Sequence, residues 1–183
     1  MTRCAVLMVL LLHVAGFAAA QDDAVTFFVT SDSHYEGVQK VERNDRNRAT
    51  ILRMNELPGA NWPEKLDGGA IGKPRGVLVL GDLIDDGDKV VETDIEWRHF
   101  EDHFGLDGTD GLLQFPVVEG WGNHDGPPAK AIKQRKSVQA EIHRRNAARL
   151  EQKLIGRVSD NGLHYSWDWN GVHFVQTNLY PAD

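Results

Sequence analysis

The stretch Gly76-Val-Leu-Val-Leu-Gly-Asp-Leu-Ile-Asp85 decides how this chain is read. Its aliphatic run, Val77 to Leu80, is short and bounded by glycine, as in a buried strand, and it hands over at once to the polar pair Gly81-Asp82. The same design occurs twice more. Val25-Thr-Phe-Phe-Val-Thr30 runs into Ser31-Asp32-Ser33-His34, and Phe115-Pro-Val-Val-Glu119 runs into Gly120-Trp-Gly-Asn-His-Asp125. Each apolar segment delivers polar side chains at its C-terminal end.

The segments between these strands have helical spacing. Asp45 to Leu57 carries Ala49, Leu52 and Leu57, with Asn44 as a candidate N-cap and Pro58-Gly59 as a stop. Asp94 to Phe104 sets Ile95, Trp97, Phe100 and Phe104 mostly on one face. Strand, helix, strand, helix, strand predicts right-handed crossovers and a parallel sheet, hence an α/β fold. In such sheets ligands gather outside the carboxyl ends of the strands. A longer helix is expected over about Lys130 to Leu154, with Val138, Ile142, Leu150 and Leu154 inward and its basic residues elsewhere. Leu163 to Trp169 and Val172 to Thr177 flank Asn170-Gly171, a two-residue hairpin signal that changes the pairing to antiparallel. There is no internal repeat, low-complexity tract or linker to mark a second domain.

The first 20 of the 183 residues have the layout of a signal peptide: Arg3, the apolar run Ala5 to Leu12, and Ala18-Ala-Ala20 before Gln21. Cleavage is expected after Ala20, giving a secreted or periplasmic chain of residues 21–183 without stable membrane insertion; an uncleaved anchor is the competing reading, weakened by the short apolar run. The only cysteine, Cys4, falls inside the removed segment, so the mature chain has neither a disulfide nor a thiolate. Losing Arg3 takes the net charge from −7 to −8, an acidic surface that does not favour nucleic acid as a partner. The local exception is basic: Lys130, Lys133, Arg135, Lys136, Arg144, Arg145, Arg149 and Lys153 outnumber Glu141 and Glu151. That segment is read either as a solvated helix face or as an attractor for a phosphorylated substrate.

The three strand ends supply Asp32 with His34, Asp82 with Asp85, and Asn123 with His124, donors suited to a divalent transition metal. In Asp32-Ser-His34 the period-two alternation lets both side chains project to one side. Gly81 allows a tight turn before Asp82, whose two oxygens can bridge two ions about 3.5 to 4 Å apart. Asn123 is a neutral oxygen donor, which limits the negative charge on a second ion. Each motif alone reads more simply as a turn or a solvated loop; together, in order and each behind a strand, they point to one site.

Asp32-Ser-His34, Gly81-Asp-Leu-Ile-Asp85 and Gly122-Asn-His-Asp125 resemble the first three motifs of the calcineurin-like metallophosphoesterases, and the likeness spans roughly Val25 to Asp125. The resemblance implies a layered fold of β-sheets flanked by helices and a dinuclear site holding manganese, iron or zinc. It implies that Asp32 and His34 bind the first metal, Asp82 bridges, and Asn123 binds the second. It also implies in-line attack on the phosphorus of a phosphomonoester or phosphodiester by metal-activated water, His124 protonating the departing oxygen and Asp85 orienting His124. His34 and Asp85 stand where the related purple acid phosphatases carry Gly and Tyr. The family completes its metal sphere with three further histidines, two of them in a Gly-His-x-His motif. Those are absent here, and His143, His164 and His173 do not have the required setting. The expected domain is therefore an N-terminal part lacking its C-terminal half. The rival expectation is a non-catalytic phosphate- or metal-binding remnant.

Around these motifs, Asp125 is expected to bond its own loop. His99 and His103 lie one helical turn apart and read as a solvated face, with a zinc pair as the alternative. Trp97, Phe100, Trp167, Trp169 and Phe174 are expected in the core, and Trp121 as a candidate pocket wall.

Overall fold

The computed structural model describes residues 24–37, 42–126 and 137–179. The signal-peptide segment and the stretch Lys130 to Lys136 of the expected basic helix lie outside these. Three short strands, β1 (Phe28–Thr30), β2 (Val77–Val79) and β3 (Val117–Glu119), form a parallel sheet in that order, with Phe28 opposite Val77 and Val77 opposite Val117. Helices α1 (Glu42–Glu56) and α2 (Val90–Phe104) make the crossovers, and α3 (Val138–Glu151) follows. A second, antiparallel sheet contains β4 (Arg157–Val158), β5 (Tyr165–Trp169) and β6 (Val172–Gln176). The chain is thus a mixed α/β protein whose parallel and antiparallel sheets are flanked by helices. Among the described residues no helix is long and apolar enough to cross a membrane.

Strand alternation sorts the parallel sheet between two cores. Val77, Val79 and Val117 face the helices and pack with Ile51 and Met54 of α1, Trp97, Phe100 and Phe104 of α2, and Val138 and Ile142 of α3. Leu78 and Val118 face the other way, onto Tyr165, Trp167 and Trp169 of β5 and Phe174 of β6. Each fully buried aliphatic or aromatic side chain contributes about 1.5 to 3 kcal/mol, so both faces of the sheet are anchored.

Several boundaries differ from the sequence reading for local reasons. Pro116 has no N–H, so β3 begins at Val117 rather than Phe115. Asn44 lies inside the first turn of α1 and does not cap it; its amide instead bonds both the N–H and the C=O of Glu36, each at 2.9 Å. Helix α2 starts at Val90, four residues early and despite the poor propensity of Val90-Val91, and Thr93 Oγ1 donates to the carbonyls of Lys89 and Asp86 at its start. Helix α3 is capped by Ser137, whose Oγ accepts from the Ala140 N–H at 3.1 Å. The hairpin forms as expected, with both Asn170 and Gly171 at positive φ.

The basic helix requires a correction. Of its cations, Arg145 and Arg149 are not solvated: they are 2% and 0% exposed and close on Glu119, itself 0% exposed. Arg145 Nε lies 3.0 Å from Glu119 Oε1, Arg149 binds Oε2, and Tyr165 donates its hydroxyl to the Glu119 carbonyl at 2.5 Å. The inward positions of α3 are Val138, Ile142, Arg145 and Arg149, at helical spacing, and Leu150 is left 45% exposed. Burial alone would raise the Glu119 carboxyl, but the two guanidinium charges outweigh it and hold it down at about 2.

Candidate metal centre

The β1–β2 pairing continues past the strands and builds the site's floor. Asp32 N–H donates to the Gly81 carbonyl at 3.1 Å, His34 N–H to Asp82 at 2.9 Å, and Tyr35 N–H to Leu83 at 3.0 Å. Ser33 donates its hydroxyl to Leu83 O at 3.0 Å, so the Asp-Ser-His loop is held by its backbone and by its middle residue. Its two outer side chains are then free for other work. Asp32, His34 and Asp82 adopt φ of 54°, 39° and 49°, three of the seven non-glycine residues at positive φ among those described. Left-handed backbone costs free energy and collects at functional sites, so its concentration here supports the motif reading.

The third loop is clasped to the second. Asp125, 2% exposed, accepts from Leu83 N–H at 2.8 Å and Ile84 N–H at 3.1 Å through one oxygen, and from Gly122 N–H at 2.8 Å through the other. The expectation that Asp125 bonds its own loop holds, and it also bonds the neighbouring one. Burial pushes its carboxyl up to about 7, opposed by these N–H groups. Two glycines permit the approach. Gly81, at φ 115°, would put a Cβ 2.7 Å from Gly122 N, and a Cβ on Gly122 would collide with the carboxylate and N–H of Asp82. Glu96 of α2 is 2% exposed and accepts from the N–H groups of Asp85 and Asp86 at 3.2 and 2.8 Å. Its role shows only when the α2 face is known.

Donor atoms of Asp32, His34 and Asp82 lie within 4.8 Å of one another, as do those of His34, Asp85 and His124. His34 Nε2 stands 3.8 Å from Asp32 Oδ1 and 3.9 Å from Asp82 Oδ2. These separations are too long for hydrogen bonds but are spanned by two bonds of about 2.1 Å to a single ion. His34 Nδ1 is buried without a hydrogen bond, although Asp85 Oδ1 lies 3.3 Å away. Arg43, which sequence reading missed, binds Asp85 Oδ1 at 2.9 Å and Glu36 at 3.5 Å. Three carboxylates thus meet two imidazoles and one guanidinium, an excess of negative charge that suits one divalent cation.

Asp85 meets His124 differently from the simplest expectation. Its backbone carbonyl, 2.9 Å from His124 Nδ1, makes the contact, while its carboxylate oxygen is 3.9 Å from that nitrogen and nearer to His34. Because a carbonyl only accepts, Nδ1 carries the proton and Nε2 presents the lone pair. The same carbonyl bond, with the charges of Asp82, Asp85 and Asp125, raises the His124 pKa. The His34 and His124 rings meet edge to face at 4.5 Å. Asn123 is exposed in the same loop. Asp82 Oδ1 already accepts from the His124 N–H at 2.9 Å, so a bridging role would ask that oxygen to serve two partners.

Other sequence candidates fall elsewhere. Trp121 is 7% exposed and packs in the helix-side core, so it is not an open pocket wall. His103 Nδ1 is 2.8 Å from the hydroxyl of buried Tyr35, and burial lowers the His103 pKa. Among the described residues, His99 and His103 join no cluster of metal-binding donors. No protein-family model, curated protein or solved structure matches this chain.

Proposed function

We propose that the chain is a metal-dependent hydrolase of phosphoric esters, built on a metallophosphoesterase-type layered fold. The reading is carried by one observation: His34 belongs to two groups of donor atoms, one with Asp32 and Asp82 and one with Asp85 and His124, each within 4.8 Å, and together they draw on three loops that lie far apart in sequence. The residues fit one divalent ion, which Asp32, His34 and Asp82 would hold; manganese, iron and zinc all accept such donors. With Asp85 and His124 kept for the roles the resemblance implies, a second ion would have only Asp82 and Asn123, so a dinuclear centre would need further donors from water or substrate. A divalent ion in such a site supplies Lewis acidity toward a phosphoryl oxygen and makes water nucleophilic near neutral pH.

The chain's own residues would do the rest. His124, partly exposed, has its tautomer fixed by the Asp85 carbonyl, leaving Nε2 to exchange a proton with a substrate oxygen. Asp85, held by Arg43, faces His34 Nδ1 and would orient that ring so that Nε2 serves as the ligand. The clasp of Asp125 and Glu96 keeps the loops in register without touching the reaction. Excess negative charge would repel a phosphoester from the empty site, so affinity for substrate should depend on the ion.

The test is direct. The chain is loaded in turn with manganese, ferrous iron and zinc and assayed with p-nitrophenyl phosphate and bis(p-nitrophenyl) phosphate. Turnover that disappears in Asp82→Ala supports the hydrolase. A folded chain that turns over neither ester with any metal overturns it in favour of a non-catalytic metal- or phosphate-binding protein.

A further inference from the structure

A cavity of about 530 Å³ opens at the opposite end of the parallel sheet, beside the residues that enter β2 and β3 rather than those that leave them. Its size is that of a small-molecule site. Lys73, Arg75, Arg149 and Lys153 line it, against only two acids, Asp107 and Asp168. Both acids are already engaged. Asp107 accepts from the N–H and hydroxyl of Thr109 at 2.8 and 2.7 Å, and Asp168 pairs with His173 at 2.8 Å. The exposed cations Lys73, Arg75 and Lys153 have no ion pair or side-chain hydrogen bond among the described residues. In a chain of net charge −7, this convergence of unpaired positive charge is out of keeping with the rest of the surface.

A second observation lies in the wall of the cavity. Arg149 is wholly buried, yet its Nε has no hydrogen-bond partner. It shares the carboxylate of Glu119 with Arg145, which also lies 3.6 Å from the partly exposed Glu101, so Arg149 itself has only half of one carboxylate as counter-charge where the dielectric is low. Beside it the lining turns apolar, through Val118, Ile155 and the indole of Trp169. A positive rim over an apolar wall fits a ligand with an anionic group and an apolar body.

We infer that this cavity is a binding site for a small organic phosphate, separate from the candidate metal centre. The phosphate meets Lys73, Arg75 and Lys153, and the organic part lies along Trp169. A doubly charged ligand group is favoured because Lys73, Arg75, Lys153 and Arg149 outnumber Asp107 and Asp168 in the lining. The inference does not rest on the hydrolase reading.

The probe is phenylphosphonate, a dianion with an aromatic body and no ester to cleave, titrated calorimetrically into the full chain in the presence of EDTA. One equivalent should bind with a dissociation constant below about 1 mM, weakening as salt is raised. The double variant Lys73→Ala/Lys153→Ala, whose exposed side chains make no ion pair or hydrogen bond among the described residues, should weaken binding about tenfold while circular dichroism stays unchanged. Arg75→Gln gives an independent second measurement and should weaken it several-fold. Asp82→Asn should leave it as it was. No binding at millimolar probe, affinity indifferent to these cations, or affinity lost in Asp82→Asn would each overturn the inference, the last by moving the anion to the other site.

Discussion

Asp82 and Glu119 are acids at the ends of neighbouring parallel strands, and the fold treats them in opposite ways. Asp82 sits on left-handed backbone, partly exposed, among two more carboxylates, with an imidazole nitrogen 3.9 Å away. Glu119 is the last residue of β3, wholly buried, with a guanidinium on each carboxylate oxygen. The first acid has too little positive charge nearby, the second too much. A strand-end carboxylate is therefore a ligand or a structural ion according to what fills the space in front of it. Removing a partner from a sealed ion cluster strands a desolvated charge, whereas altering an open one mainly changes what it binds.

The largest effect should come from the sealed side. Glu119→Ala leaves Arg145 and Arg149 without their shared carboxylate and should cost about 3 to 5 kcal/mol in urea unfolding, enough to unfold the chain if its margin is ordinary. An unchanged midpoint would remove the contrast. Acid should act through the same residue. The folded pKa of Glu119, about 2, lies below its ordinary 4.5, so its contribution is complete above 4.5 and drains away as pH falls from there toward 2. The urea midpoint measured across that window should fall in the native chain, and Glu119→Gln should flatten the Glu119 share of the slope.

On the open side, Asp82→Ala should lower affinity for zinc or manganese by about 100-fold or more while leaving the circular dichroism spectrum intact. Equal metal binding in both forms would show that Asp82 is not a ligand. Gly122→Ala probes the junction between the two loops: the methyl would meet Asp82 itself, and a cost of about 1 to 3 kcal/mol is expected by thermal unfolding. Gly59→Ala is the control; its φ is also positive but nothing lies within 4 Å, so about 1 kcal/mol from backbone strain is all it should lose. Smallest of all is Arg144→Ala. Its ion pairs with Glu141 and Glu101 are solvent-exposed, and their loss should change stability by less than about 1 kcal/mol.

The meeting of Asp32, His34, Asp82, Asp85 and His124 was legible because its signal is local. Apolar runs followed by Asp32, Asp82 and Asn123 mark strand ends, and parallel topology brings neighbouring strand ends together. What could not be read was which atoms of Asp85 face which ring, or that Arg43 and Glu96 join the site, since both depend on how α1 and α2 are rotated. The Glu119 cluster was misread for a related reason. Hydropathy assigns arginines to the wet side of a helix, and the carboxylate that draws Arg145 and Arg149 inward lies 26 and 30 residues earlier.

The sequence by itself determined the α/β order of elements, the hairpin at Asn170-Gly171 and the identity of the convergent donors, because periodicity, turn chemistry and residue type act over a few neighbouring positions. Only the tertiary structure decided which charges are sealed and which are open. Burial and pairing are set by distant segments, and the free energy of a charge depends on its surroundings far more than on its own side chain.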